Sequence, residues 1–135
     1  MVSRNFLVVA AALTLPDGRV LMQQRPCGKQ HGGLWEFPGG KVEADEAPEA
    51  ALARELMEEL GVAVEPALLV PIAFSSEPVG ARQMVLLLYR ATEWSGTVRA
   101  IEAPALVWGT PDELAALPMP PADIPLVAAL RRRDG

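Results

Sequence analysis

The stretch Pro48 to Gly61, PEAALARELMEELG, constrains the fold more than any other part of the chain. Its ends carry helix signals. Pro48 suits a first turn, where the missing N–H costs nothing, and Gly61 supplies the left-handed residue at which helices stop. Ala47 precedes the proline, is pushed away from helical geometry, and makes a poor cap. At 100° per residue, Ala53, Leu56, Met57 and Leu60 form one apolar stripe, and Glu55, Glu58 and Glu59 gather on the opposite face. Three carboxylates at i, i+3 and i+4 repel, each pair by roughly 0.2–0.5 kcal/mol in an isolated helix, and Arg54 can offset part of this by reaching Glu58. Such a face is either a solvated acidic surface or a site for divalent cations, which as hard ions prefer oxygen ligands.

The chain around this helix reads mainly as strands. Residues 5–15 and 19–24 are two apolar runs around the turn Pro16-Asp17-Gly18, a hairpin pattern. The run from Phe6 to Leu15, preceded by Arg4, also has the composition of a short signal peptide, but the turn and the second run favour the hairpin. Residues 25–33 form a polar, glycine-containing loop, Leu34 to Phe37 a short strand end, and Pro38-Gly39-Gly40 a turn. Strands are expected at 62–73 and 83–91, the second continuously apolar and therefore central. Further strand candidates are 97–101 and 105–108. A short helix is expected over Asp112–Leu117 and a terminal one over Ile124–Arg133, whose last-turn arginines suit its dipole. Without βαβ regularity this predicts an α+β fold, an α/β/α sandwich with a mixed sheet between helices, as one domain over residues 1–135.

Composition narrows the function classes. Half of the 135 residues are hydrophobic, so disorder is not expected. The one cysteine, Cys27, rules out an intramolecular disulfide and a cysteine-based zinc site, and a reducing cytoplasm is the natural compartment. A net charge of -5 argues against a nucleic-acid polymer as partner, though cations could join carboxylates to a polyphosphate. No apolar stretch is long enough for a membrane span. The one histidine, His31, lies on a loop and reads as exposed rather than catalytic.

The residues ahead of the helix separate its two readings. Gly40 is followed by five residues and Glu46, then by seven residues and Arg54-Glu55-Leu56-Met57-Glu58-Glu59-Leu60-Gly61-Val62. This resembles the Nudix box at every defined position, a match with a chance per window on the order of 10⁻⁹ at average residue usage. The resemblance implies a Nudix fold and a metal-dependent hydrolase. Residue chemistry agrees: Gly39 and Gly40 permit close backbone approach, and a loop feeding a helix N-terminus presents N–H groups to anions.

By resemblance to MutT-type Nudix enzymes, Glu55, Glu58 and Glu59 are expected to bind Mg²⁺ or Mn²⁺, with the carbonyl of Gly39 as a further candidate ligand. Arg54 orients a carboxylate, and Glu46 gives outer support. Glu102, six residues before Trp108, stands where such enzymes carry a further metal-binding or basic Glu. The same resemblance sets Arg25 on a substrate phosphate, as bidentate arginine chemistry suits. Lys41 could neutralise phosphate too. Phe37 would stack near the base, and Trp35 either packs in the core or lines the pocket, with the pocket preferred. The reaction implied is attack by a metal-activated water on a nucleoside triphosphate, giving monophosphate and pyrophosphate.

Pro120-Pro121-Ala122-Asp123 resembles a MutT-type stretch whose next residue, an Asn, reads oxidised guanine. Here it is Asp123, which when ionised accepts hydrogen bonds only. The stretches Leu106-Val107-Trp108 and Pro121 to Leu126 also resemble pyrophosphohydrolases of CTP and modified pyrimidines. The substrate expected first is 8-oxo-dGTP, removed from the nucleotide pool, and CTP or 5-methyl-dCTP comes second. An ADP-ribose or sugar-nucleotide pyrophosphatase, suggested by Pro78, and a non-catalytic nucleotide-binding module remain as other readings. Asp123 could equally cap the last helix. A monomer or a dimer is compatible with the sequence.

Overall fold

The computed structural model describes residues 4–134, so the ends of the expected 1–135 domain lie outside the described residues. Strand β1 (Asn5–Leu13) lies inside a four-stranded sheet of order β4-β1-β6-β5, with β4 at Gly39–Lys41, β5 at Val70–Val79 and β6 at Arg82–Ala91. β1 runs parallel to β6 and antiparallel to β4. The sheet is therefore mixed, as expected. Its apolar run serves two cores by alternation: Val9, Ala11 and Leu13 face one side, Ala10 and Ala12 the other. Helix α1 (Pro48–Leu60) covers the first side and α3 (Asp123–Asp134) the second. The 83–91 run is β6, central between β1 and β5.

A second, three-stranded sheet has the order β3-β2-β7, from Trp35–Glu36, Val20–Gln24 and Leu106–Gly109. It corrects the hairpin expectation. The turn is tight, with Leu15 N donating to Arg19 O at 2.9 Å. Beyond the bridge Thr14↔Val20, however, the two strands enter different sheets. Both edges of β1 are already taken by β4 and β6, so β2 pairs with β3 and β7 instead.

Three other boundaries move. The strand expected at 62–73 is a 3-10 turn at Pro66–Leu68 followed by β5, which extends to Val79. Its Pro71 and Pro78 are tolerated because β5 is an edge strand. Residues 97–101 are not a strand. The N–H groups of Arg99 and Ile101 bond to the carbonyls of Leu60 and Glu59 and so satisfy the exposed end of α1. Gly39 and Gly40, expected to turn the chain, lie in β4. Between β7 and α3, α2 is one turn, Pro111–Leu114, closed by a reciprocal capping box of Thr110 and Glu113.

Helix α1 starts and stops where expected, with no side-chain cap from Ala47 and Gly61 left-handed at φ 71°. Its buried face differs from the expected one. Ala51, Leu52, Leu56 and Leu60 are buried, whereas Met57 is 49% exposed. Glu59 is seven residues from Leu52, about 20° away around the helix. It therefore points inward with Leu52 and Leu56, not away from them. Glu55 borders the same face and is half-buried; of the three, only Glu58 is exposed.

Candidate active site

The segment Trp35 to Lys41 is the spine of the site. Pro38 O accepts from Ala11 N at 2.9 Å and locks the segment to β1. Two residues apart along it, two backbone N–H groups each hold a carboxylate. Phe37 N donates to Asp123 Oδ2 at 3.2 Å, and Gly39 N donates to Glu59 Oε2 at 3.0 Å. Gly39 is required sterically, and Gly40 leaves room for the Glu55 carboxylate. A Cβ on Gly39 would run into the Val9 carbonyl, and one on Gly40 would overlap the carboxylate of Glu55.

Glu59 accepts a second hydrogen bond from Gln23 Nε2, at 2.9 Å on Oε1. Burial pushes its pKa up to about 8; nearby Glu55 and Glu36 add to the rise, and the bonds from Gln23 and Gly39 oppose it. Glu55 is raised too, mainly by burial, and Glu58 and Glu102 push in the same direction against Arg54. Arg54 Nη1 lies 3.0 Å from Glu55 and 3.6 Å from Glu58. The expected Glu58 contact is thus made, but the tighter partner is Glu46, bound at 2.9 Å through both Nε and Nη2. That fork, then the Glu43 N–H, lowers Glu46 to about 2. A further bond from Arg54 Nη2 to the Lys41 carbonyl, at 3.2 Å, ties the helix to the segment.

A cavity of about 950 Å³ opens beside the segment. Glu59, Gly39, Gly40, Glu102, Phe37 and Asp123 all line it. Arg25, Lys41 and the exposed His31 also line it, as does Pro78 on β5. Glu55, Glu58, Arg54 and Glu46 lie outside the lining. Trp35, preferred as a pocket residue, instead packs against the core beneath α3, because β3 turns its side chain inward.

Asp123 is 5% exposed, and burial raises it to about 7, with Glu36 adding and the Phe37 N–H and Arg25 opposing. It is the first residue of α3. The hydrogen bond its carboxylate accepts comes from Phe37, 86 residues away. Arg25 is itself positioned: Nη1 meets Glu36 Oε1 at 2.9 Å, and Nε donates to Gln30 O at 2.8 Å. Lys41 Nζ and the Arg82 guanidinium both sit over the Phe6 ring, 5.5 Å and 4.1 Å from its centre.

Sequence reasoning missed Gln23, Glu36 and Arg82 as cavity residues. The available signal was a polar residue at an inward position of a short apolar strand, legible for Gln23 after Val20-Leu21-Met22. For Glu36 and Arg82 it was absent.

Do these residues fit a divalent cation? Among the described residues no three acidic, His or Cys side chains already converge on one point. Their chemistry fits nonetheless. Glu55 feels the charges of Glu58 and Glu102, and Glu59 that of Glu55. All are hard oxygen donors, and a cation between them would relieve the repulsion.

The NUDIX domain model matches residues 4–130. The chain belongs to the Nudix family. Among its relatives, the CTP pyrophosphohydrolase of Escherichia coli K12 is 44% identical over 125 residues, 93% of this chain and 91% of that one. The 8-oxo-dGTP diphosphatase of Proteus vulgaris is 37% identical over 94 residues, 70% and 82% of the two chains. The solution structure of the E. coli ORF135 protein superposes with a TM-score of 0.88 at 40% identity, covering 98% of this chain and 93% of that one. The protein is thus a hydrolase of the Nudix family. No helix among its described residues is long and apolar enough to cross a membrane.

Proposed function

We propose that this Nudix hydrolase, acting as one domain, converts nucleoside triphosphates to monophosphates and pyrophosphate, and that Asp123 reads the base. The observation that carries this reading is a pair of carboxylates, the half-buried Glu59 and the buried Asp123, held on one backbone segment along one cavity. Glu55, Glu58, Glu59 and Glu102, with the Gly39 carbonyl, would hold Mg²⁺, or Mn²⁺ in its place. The ion supplies charge neutralisation of the phosphates and a more acidic water. Glu59, which lines the cavity, would take the proton of an attacking water on a carboxylate oxygen. Arg25, braced by Glu36, offers a fork to a phosphate, and Lys41 adds a point charge.

The base assignment favours cytosine nucleotides, reversing the order the sequence suggested. Asp123 Oδ1 is left to accept from an exocyclic amine, and the 44% identical relative is named for CTP. A second reading, 8-oxo-dGTP, rests on the pKa of about 7 at Asp123. Its protonated form donates as well as accepts, as an Asn does.

A panel of CTP, 5-methyl-dCTP, 8-oxo-dGTP, dGTP, 2-hydroxy-dATP and ADP-ribose with Mg²⁺ tests this, with pyrophosphate and orthophosphate read separately. Pyrophosphate from a cytosine nucleotide at the highest kcat/KM is expected. Orthophosphate alone from every triphosphate, or preference for ADP-ribose, would refute the reading.

A further inference from the structure

Gln23 is poorly matched to its surroundings. It sits in β2 at 4% exposure, paired in register with Glu36 on one side and Leu106 on the other. The preceding residues Val20, Leu21 and Met22 are apolar and fully buried. A buried amide destabilises unless both of its ends are hydrogen-bonded. Only one end is. Nε2 donates to Glu59, while Oε1 is buried without a partner among the described residues. A methionine of similar length would fill the space without a buried polar atom of its own. A residue that breaks the local rule inside a well-packed strand points to a functional demand.

That demand is visible at Glu59. Its two oxygens are held separately, Oε2 by the Gly39 N–H at 3.0 Å and Oε1 by Gln23 at 2.9 Å. The terminal torsion of a glutamate is otherwise soft. With Gly39 alone, the carboxylate could swing about one anchored oxygen. With Gln23 added, its plane is fixed relative to β4 and the cavity wall.

We infer that Gln23 is a positioning residue that acts through Glu59, fixing the plane of its carboxylate at the expense of strand stability. The inference rests on the proposed role of Glu59 in metal binding and hydrolysis. A merely structural glutamine and a positioning one respond to replacement with opposite signs, which makes the two separable.

The test is Gln23→Met in the full chain. It removes both amide groups and nearly conserves volume. The melting temperature should hold or rise. For the best triphosphate kcat should fall about tenfold with KM little changed, as expected when a bond to a charged group is lost. Affinity for Mn²⁺ without nucleotide, read from the free-ion EPR signal, should weaken several-fold. A variant that keeps wild-type kcat and Mn²⁺ affinity would overturn the inference. So would one that melts much lower or fails to fold, since Gln23 would then be structural. Weakened Mn²⁺ binding in a protein whose wild type cleaves no nucleotide would refute the proposed function and leave the Gln23 inference standing.

Discussion

Glu59, half-buried, and Asp123, buried, both accept a hydrogen bond from the segment that carries Phe37 and Gly39. Their surroundings differ. Glu59 shares its region with Glu55 and Glu36, and its two hydrogen bonds come from neutral donors. Negative charge there is in excess, which calls for a cation. Asp123 lies next to the buried Phe37 and Ala122, and the hydrogen bond it accepts from the Phe37 N–H is also from a neutral donor. It feels one acid, Glu36, and one base, Arg25, so nearby charges nearly balance and burial sets its pKa. The same local device, a backbone N–H on a buried acid, thus serves two tasks. On the proposed reading, one end holds a group whose charge a metal would offset, and the other a group near neutrality that would meet the base.

The largest effect should come from Glu59→Gln. Loss of the ionisable group should cut pyrophosphate release by about 10²–10⁴-fold, the usual range for general-base removal. An unchanged Mg²⁺-dependent rate would break the assignment of the two ends. Gly40→Ala should be next. Its methyl group must displace the Glu55 carboxylate, a side chain that can move, so folding should survive while kcat drops about tenfold or more.

Asp123→Asn should change selectivity more than rate. It keeps the shape and adds a permanent donor, so kcat/KM for CTP should fall relative to 8-oxo-dGTP, by about tenfold for one lost acceptor contact. Its pH dependence has a definite sign. The folded pKa of about 7 lies above the ordinary 3.8, so the folded state holds a proton that the unfolded state releases. The contribution of Asp123 to stability is therefore fully present below about pH 4 and is lost as pH rises through about 7. Chemical denaturation should show Asp123→Asn gaining stability over wild type from about pH 4 to about pH 7, and a constant gap above that. A gap that stays flat would mean Asp123 is ionised throughout.

Much of the catalytic end was legible because its information is local. Helix α1, its caps and the spacing from Gly40 to Gly61 are set by neighbours along the chain. What was misjudged is how α1 is rolled: Met57 faces out, and Glu59 turns in beside Leu52 and Leu56, where the Gln23 amide and the Gly39 N–H hold its carboxylate. The base end was less legible. Asp123 was flagged by its departure from a similar motif, but its partner Phe37 lies 86 residues away, and no periodicity reports such a contact. The split of β1 and β2 into two sheets was hidden for a related reason. A tight turn between apolar runs looks the same whether the strands pair or part, and only the competition of β4 and β6 for β1 decides it.

Trp35 offers the smallest expected effect and a sharp control on the comparison. It is two residues before Phe37, yet it packs against the core beneath α3, while Phe37 reaches both that core and the cavity. Its backbone N–H bonds to Pro118 O at 2.8 Å, a contact indifferent to the side chain. Trp35→Phe should therefore cost about 1–2 kcal/mol of stability through lost packing, measured by denaturant titration, with kcat/KM for the best triphosphate held within about twofold. If Trp35 instead formed a wall for the base, loss of its stacking surface would raise KM several-fold while stability barely moved. The base end would then extend one strand further than the Phe37–Asp123 contact, and selectivity would be shared with β3.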